Sequence, residues 1–175
     1  VGVGTILADD PQLTARDAAG KPMPRQPLRI VVDSKGRTPP TARLLREPGP
    51  VLLACADMPA ERIRALQDAG AEVVQLPGQD GRVDLQALLV LLGQRQLTSV
   101  LAEGGSALLG SLFDHSLVDK VAAFIAPVII GGSTAVPAVG GQGAETMAQA
   151  LRLRDVEIRQ FGQDILVTGY PSRGE

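Results

Sequence analysis

Short β-branched runs alternate with stretches of helical spacing along most of this chain, and that alternation is what most narrows its fold. Leu28–Asp33 and Val51–Ala56 are apolar runs bounded by turn formers: Asp33-Ser34-Lys35-Gly36 closes the first and Pro48-Gly49-Pro50 precedes the second. Runs of this kind read as buried strands. Next, Ile63 and Leu66 share a helical face with Arg62, Arg64 and Asp68 outside it, while Pro59 suits the first turn and Gly70 the stop. Glu72–Leu76 follows as a third strand. Asp84 can cap a helix over Leu85–Gln94, with Leu85, Leu88, Leu89 and Leu92 on one stripe. A fourth strand is expected over Ser99–Ala102, a helix over Ala107–Phe113 and a fifth strand over Lys120–Ala126. Val1-Gly2-Val3-Gly4 reads as the interior of a further strand. Such alternation builds βαβ units and a mostly parallel central sheet flanked by helices, an α/β fold. Leu151–Arg159 and Asp164–Thr168 close the chain as an antiparallel pair turned at Phe161-Gly162-Gln163. Asp17–Gln26 reads as an exposed loop and Gly131–Glu145 as a long mobile one.

Composition removes several function classes. A length of 175 residues suits one domain with a sizeable core. A net charge of −2 gives no cationic surplus for nucleic acid. Phe113, Phe124, Phe161 and Tyr170 are too few rings for a base-stacking platform. The lone Cys55 permits no intrachain disulfide, and with the lone His115 it excludes a Cys/His zinc site, so no metal is expected. Any Ser-His-Asp or Cys-His arrangement must pass through His115. That residue ends a helix, where a cation relaxes against the dipole, and reads as structural; Cys55 reads as an inert core residue. No apolar run reaches the ~18–20 residues that span a bilayer. No basic-then-apolar leader opens the chain, and the expected compartment is cytoplasmic.

Two segments can carry chemistry. In Val100-Leu101-Ala102-Glu103-Gly104-Gly105-Ser106-Ala107-Leu108-Leu109-Gly110 a strand ends, an acid follows and a glycine pair opens a helix. Glycines admit close approach to the backbone, and a helix start offers free N–H groups with partial positive charge, which together seat an anion or a pyrophosphate. Open α/β sheets bind ligands beyond the carboxyl ends of their strands, where this junction falls. The spacing matches neither G-x-G-x-x-G nor a Walker A loop, and a plain strand–helix turn is the competing reading. Glu103 weighs against that reading, because an acid on a strand tip facing a crevice is costly unless something uses it. The second segment runs from Gly2-Val3-Gly4-Thr5 through Asp9-Asp10-Pro11 to Leu13-Thr14-Ala15-Arg16. Asp9-Asp10-Pro11 makes a turn. Arg16 either clamps a phosphate bidentately or is solvated or paired with a neighbouring acid. Ser34 is either a phosphate donor or a turn former.

Taken together, Val1–Arg16 with its Leu-Ala-Asp-Asp-Pro-Gln-Leu-Thr string, Pro27–Ser34, Glu103-Gly104-Gly105, Leu117–Lys120 and Ile125–Gly131 closely resemble the reductase domain of the bifunctional riboflavin-biosynthesis deaminase/reductase family. The likeness covers essentially the whole chain, in the family's order. It implies a dihydrofolate-reductase-like fold and NADPH-dependent reduction of the ribosyl group of 5-amino-6-(5-phosphoribosylamino)uracil to a ribityl group. By the resemblance Thr5, Asp9 and Ser34 contact the cofactor, and Gly105, Ser106, Ala107, Leu108, Leu109, Gly110 and Ser111 cradle its phosphates. Leu13, Arg16 and Glu103 contact the substrate. No catalytic proton donor stands out. The chain is read as a single reductase domain over 1–175, without the strand and helix that open this domain in the family and without the zinc-binding deaminase domain. Competing readings are the stand-alone reductase that acts before deamination, on the diaminopyrimidinone form of the substrate, and a non-catalytic nucleotide-binding or oligomerisation module. No Arg/Lys pair for the cofactor's 2′-phosphate stands out in the sequence, so NADPH rests on the resemblance. The apolar strand Val121–Ala126 leads to the expectation of a homodimer.

Overall fold

The apolar runs of the first half do assemble a parallel sheet. The computed structural model describes residues 1–172, which divide into two units, Val1–Leu108 and one starting at Leu109. In the first, β1 (Arg29–Val32), β2 (Val51–Cys55) and β3 (Glu72–Gln75) lie in that order, all parallel. Val31 is level with Leu53, and Leu53 with Val73. Every residue of the central strand β2 is buried, as expected of a strand covered on both faces. Around it stand α1 (Val3–Asp9), α2 (Arg43–Arg46), α3 (Ala60–Asp68) and α4 (Leu85–Gln94). Ile6, Leu44 and Leu66 pack with Val31, Leu53, Cys55 and Met58 into one core. Pro59 precedes α3 as its N-cap, and Asp84 caps α4 by accepting from the Ala87 amide at 2.9 Å. Leu85, Leu88 and Leu92 are buried as the stripe requires.

Three expectations are corrected. Val1-Gly2-Val3-Gly4 is not a strand interior. Only Val1 and Gly2 run beside β1, where the Val1 amino group donates to the Ile30 carbonyl and the Val32 amide to the Val1 carbonyl, each at 2.9 Å. From Val3 the chain is helical, because Val3 and Ile6, three residues apart, bury the same face. Second, Ser99–Ala102 forms no strand, and Leu101 is 76% exposed. An apolar run needs a neighbouring ladder; here Val1–Gly2 lie along the outer side of β1, and no described strand pairs with 99–102. Third, the strand expected at Lys120–Ala126 is not part of the parallel sheet.

That strand, β4 (Val121–Ile125), belongs to the second unit. There β5 (Leu153–Phe161) and β6 (Asp164–Pro171) form the anticipated antiparallel pair, and β6 takes β4 on its other side, giving the order β4-β6-β5. The helix α5 (Ser106–Asp114) begins in the first unit and ends in the second. The glycine-rich segment 131–145 contains no helix or strand, yet its later part is fixed: Asp114 accepts from the amides of Gln142 and Gly143 at 2.9 and 3.5 Å. A Cβ built on Gly110 would stand 2.2 Å from the Gly140 carbonyl carbon, so backbone meets helix there with no room for a side chain. His115 follows α5, with Nδ1 2.8 Å from the Ser111 carbonyl oxygen, in the structural place expected of it.

Burial pushes the Cys55 thiol above its ordinary pKa, with the negative charges of Asp33 and Asp57 adding to the effect. The thiol form is therefore favoured in the folded state. Its contribution is whole below the unfolded thiol's pKa and declines as pH rises through the folded one. Urea denaturation of the wild type should lose stability above about pH 8.5, the ordinary thiol value, and Cys55→Ala should flatten that slope.

Two helical glycines give opposite expectations. A Cβ on Gly93 meets nothing within 4 Å, so Gly93→Ala should stabilise by about 0.5–1 kcal/mol. Gly110→Ala forces the 140–141 backbone away and should destabilise by about 1–3 kcal/mol. Thermal unfolding of the two variants checks the pair.

Candidate functional site

The two sequence segments meet in the first unit. Gly104 and Gly105 take φ of 64° and 83°, a left-handed conformation that L side chains rarely adopt. A Cβ on either would stand 3.4 Å from the Thr5 hydroxyl oxygen, and one on Gly105 would stand 3.7 Å from the Gly2 nitrogen. Thr5, in the first turn of α1, thus faces the glycine pair that opens α5. The first-turn amides of a helix have no intrahelical acceptor; in α5 these lie between Gly105 and Leu108. Leu109, Gly110 and Ser111 are farther along the helix, with Gly110 packed on Gly140.

Glu103, just before the pair, is exposed. The cost argument made for it from sequence therefore fails, since a hydrated carboxylate needs no partner. It is nonetheless close to the glycine floor, near enough to act electrostatically on Val1, the neighbour of Gly2.

Asp9 ends α1 and is exposed, while Asp10 turns left-handed at φ 42° as the cap and accepts from the Arg43 amide at 2.8 Å. Where a turn was expected at Asp9-Asp10-Pro11, the chain has the end of α1 and its left-handed cap. Leu13 is also left-handed, at φ 53°. A bulky side chain held there stores on the order of 1–3 kcal/mol, a strain that collects at ligand sites. Arg16 is exposed and donates to the Thr14 hydroxyl at 3.0 Å and the Gly20 carbonyl at 3.2 Å. Among the described residues no carboxylate forms an ion pair with it.

Ser34 is a turn former. Its carbonyl accepts from the amides of Ala56 and Asp57, and its hydroxyl oxygen accepts from the Val83 amide at 3.3 Å. It therefore ties the carboxyl end of β1 to the end of β2 and to the segment before α4. The residue before it is the one sequence reasoning undervalued. Asp33 is fully buried. One carboxylate oxygen accepts from the Arg37 amide at 3.0 Å, and the other from the amide and hydroxyl of Thr38, both at 2.7 Å. Arg62 on α3 closes the same turn from outside through the carbonyls of Gly36 and Thr38. At the other end of β1, buried Arg29 donates to the carbonyls of Gln12, Leu44, Glu47 and Gly49, joining the 12–16 segment to α2. Burial pulls its pKa down, with Glu47 opposing. A charged residue at each end of an otherwise apolar run is the available signal for both.

The model of the RibD C-terminal domain matches residues 1–167. The chain belongs to the RibD C-terminal domain family. Among curated relatives of this family, a 2,5-diamino-6-ribosylamino-4(3H)-pyrimidinone 5′-phosphate reductase of Methanothermobacter thermautotrophicus is 40% identical over 168 residues, covering 95% of this chain and 76% of that protein. The riboflavin biosynthesis protein RibD of Actinobacillus pleuropneumoniae is 38% identical over 170 residues, covering 95% of this chain and 44% of that protein. The solved structure of Acinetobacter baumannii RibD superposes with a TM-score of 0.79 at 29% identity, covering 98% of this chain and 46% of that one. The chain thus spans somewhat less than half the length of the RibD proteins it matches. The fold is the dihydrofolate-reductase-like α/β fold of RibD reductase domains.

Removing the Asp33 carboxylate strands three donors in the turn after β1. Asp33→Ala should cost about 2–4 kcal/mol, from buried groups left unpaired, and should expose the 33–38 amides to hydrogen exchange. Chemical denaturation with exchange mass spectrometry reads both.

Proposed function

We propose that this chain is a reductase domain of riboflavin biosynthesis that reduces the ribosyl group of a phosphorylated ribosylaminopyrimidine. The observation that carries the reading is the meeting of Thr5 with Gly104 and Gly105 at the start of α5, in a chain whose family includes named reductases of such substrates. A reductase of this kind needs a nicotinamide cofactor, and the residues present fit one. Left-handed glycines keep the floor bare, and the amides from Gly105 to Leu108 with the positive end of α5 suit a diphosphate. Thr5 borders that floor, Ser34 follows the end of β1 beside it, and Asp9, one turn beyond Thr5 on α1, is assigned to the coenzyme with them. Ser106 and Ala107 offer backbone, while Leu109, Gly110 and Ser111 continue the helix that presents it.

When bound, the nicotinamide supplies a hydride, which is received by C1′ of the ring-opened, imine form of the sugar. The chain's own part is placement and charge. Arg16, carrying no ion pair among the described residues, takes the substrate phosphate. Leu13, held in a strained backbone, is assigned to the substrate with it. Glu103 faces the sugar with a hydrated carboxylate, steadying positive charge on the imine or holding hydroxyls; the imine nitrogen takes its proton from solvent. NADPH is the coenzyme proposed, and the deaminated uracil the ring. The diaminopyrimidinone is the second reading, favoured by the name of the 40%-identical archaeal relative. No helix among the described residues is long and apolar enough to cross a membrane, and a cytoplasmic setting is proposed. Edge strand β4, with Phe124 and Ile125 exposed, is proposed to pair with a second copy in a homodimer.

In the full-length protein, NADPH oxidation should depend on 5-amino-6-(5-phosphoribosylamino)uracil. Turnover of the 2,5-diamino compound alone would move the assignment to the second reading. Oxidation with neither would leave a binding module. Arg16→Ala should raise KM for the substrate roughly 10- to 100-fold, the worth of a charge-assisted bond. Glu103→Gln should lower kcat/KM at least tenfold. Unchanged turnover and affinity in that variant would remove Glu103 from the site.

A further inference from the structure

Resting on the reading of Arg16 as the partner of the substrate phosphate, we infer that Gln26 is the positioning residue for that arginine. Its side-chain amide grips the backbone of Ala15 and so sets the direction in which Arg16 leaves the chain. Gln26 ends what reads in the sequence as an exposed loop, yet it is half-buried in the fold. Its Oε1 accepts from the Ala15 amide at 2.9 Å, and its Nε2 donates to the carbonyls of Ala15, at 3.1 Å, and Met23. The Met23 amide donates to the same Ala15 carbonyl, and the Asp17 amide to the Lys21 carbonyl, each at 2.9 Å. Residues 15–23 are therefore a short antiparallel arm with Arg16 level with Pro22, and Gln26 clamps its root.

The seat of Gln26 exists because a side chain is missing. A Cβ on Gly49 would stand 2.7 Å from the Gln26 Cβ and 3.5 Å from Nη2 of Arg29. Gln26 and Arg29 thus lie together over a glycine whose φ of 108° already disfavours any other residue. Arg29 in turn donates to the Gln12 carbonyl at 3.4 Å, and the Gln12 side chain donates to the Glu47 carboxylate at 2.6 Å. The segment is held at Gln12 and again at Ala15, with Leu13 and Thr14 between. Leu13, at φ 53°, is in a conformation that an unheld leucine would leave. Released at Ala15, the segment relaxes toward ordinary backbone and Arg16 turns with it. The arginine is also steered along its length. Nε donates to the Thr14 hydroxyl at 3.0 Å and Nη1 to the Gly20 carbonyl at 3.2 Å, leaving Nη2 unbonded among the described residues. Thr14 belongs to the held segment and Gly20 to the arm rooted on Gln26, so both guides depend on the clamp. An exposed arginine on a free loop loses backbone and side-chain freedom when it meets a phosphate; here much of that ordering precedes binding.

The test uses the full-length protein and Gln26→Met, which keeps the stem over Gly49 and removes all three bonds. KM for the phosphorylated ribosylaminopyrimidine should rise roughly fivefold or more, the worth of one net hydrogen bond. The arm grips ground and transition states alike, so kcat should stay within about twofold. For the same compound without its phosphate, kcat/KM should also stay within about twofold, since uniform binding through Arg16 has nothing to act on. A merely structural role lowers both substrates alike, and equal losses overturn the inference. In an Arg16→Ala background, Gln26→Met should raise KM no further; full additivity overturns the inference as well. Gln26→Glu keeps the acceptor and loses the donor, and it should give the same phosphate-selective loss if Gln26→Met fails to fold. Calorimetry with ribose 5-phosphate separates this inference from the reductase reading. Wild type should bind it roughly tenfold or more tighter than ribose, as a charge-assisted contact requires, and Gln26→Met should remove most of that preference. No preference in wild type, or one that the variant retains in full, overturns the inference even where turnover is found. A preference that the variant loses, with neither pyrimidine turned over, keeps the inference and fails the reductase reading.

Discussion

One buried carboxylate organises one end of the parallel sheet. Asp33 closes β1, and its three donors are all supplied by the next five residues. A carboxylate without water must be hydrogen-bonded, and the only way this one can be is for the chain to double back sharply. That fold-back sets Ser34 where its carbonyl caps the end of β2 and its hydroxyl reaches the segment before α4. It also brings the carbonyls of Gly36 and Thr38 to Arg62 on α3. Strand, turn and helix are thereby joined through polar groups at the same edge where the glycine pair opens α5. The opposite end of β1 is treated alike by Arg29, whose guanidinium gathers carbonyls from three segments. The strand is apolar between two buried charges, each with its own ring of backbone partners, and this fixes its register along the chain as firmly as its side chains fix its depth.

Much of this fold was legible in the sequence, for identifiable reasons. Val51–Cys55 is apolar at every position because it is central and covered on both sides. The stripe of Leu85, Leu88 and Leu92 has a helical period and a capping Asp84, so its helix could be bounded to the residue. Legibility failed where an element depends on a partner that periodicity cannot name. Val100 and Leu101 look like strand but have no ladder. Val121–Ile125 has the composition of a central strand and joins an antiparallel sheet, since composition records apolarity and not direction. Val3 and Ile6 are strand-forming residues used three apart, so spacing rather than propensity decided their helix.

The site divided in the same way. The glycine junction stood out by residue type, and its contact with Thr5 joins the two motifs that stood out. The burden placed on Glu103 was too great, as exposure removes the desolvation argument. The strain at Leu13 and the role of Arg62 were invisible, since each arises from backbone geometry or from carbonyls distant in sequence.

The close meeting of Gly110 with Gly140 has a bearing on how such chains can diverge. Because α5 touches naked backbone there and Asp114 grips the two amides that follow, the segment from β4 to position 139 is tethered at both ends, like a cord between two pegs. Insertions and deletions can accumulate in that span at small entropic cost, growing only with the logarithm of its length, whereas the few residues at the second peg must keep their count and their smallness. Homologous chains should therefore line up well on either side of this stretch and poorly within it.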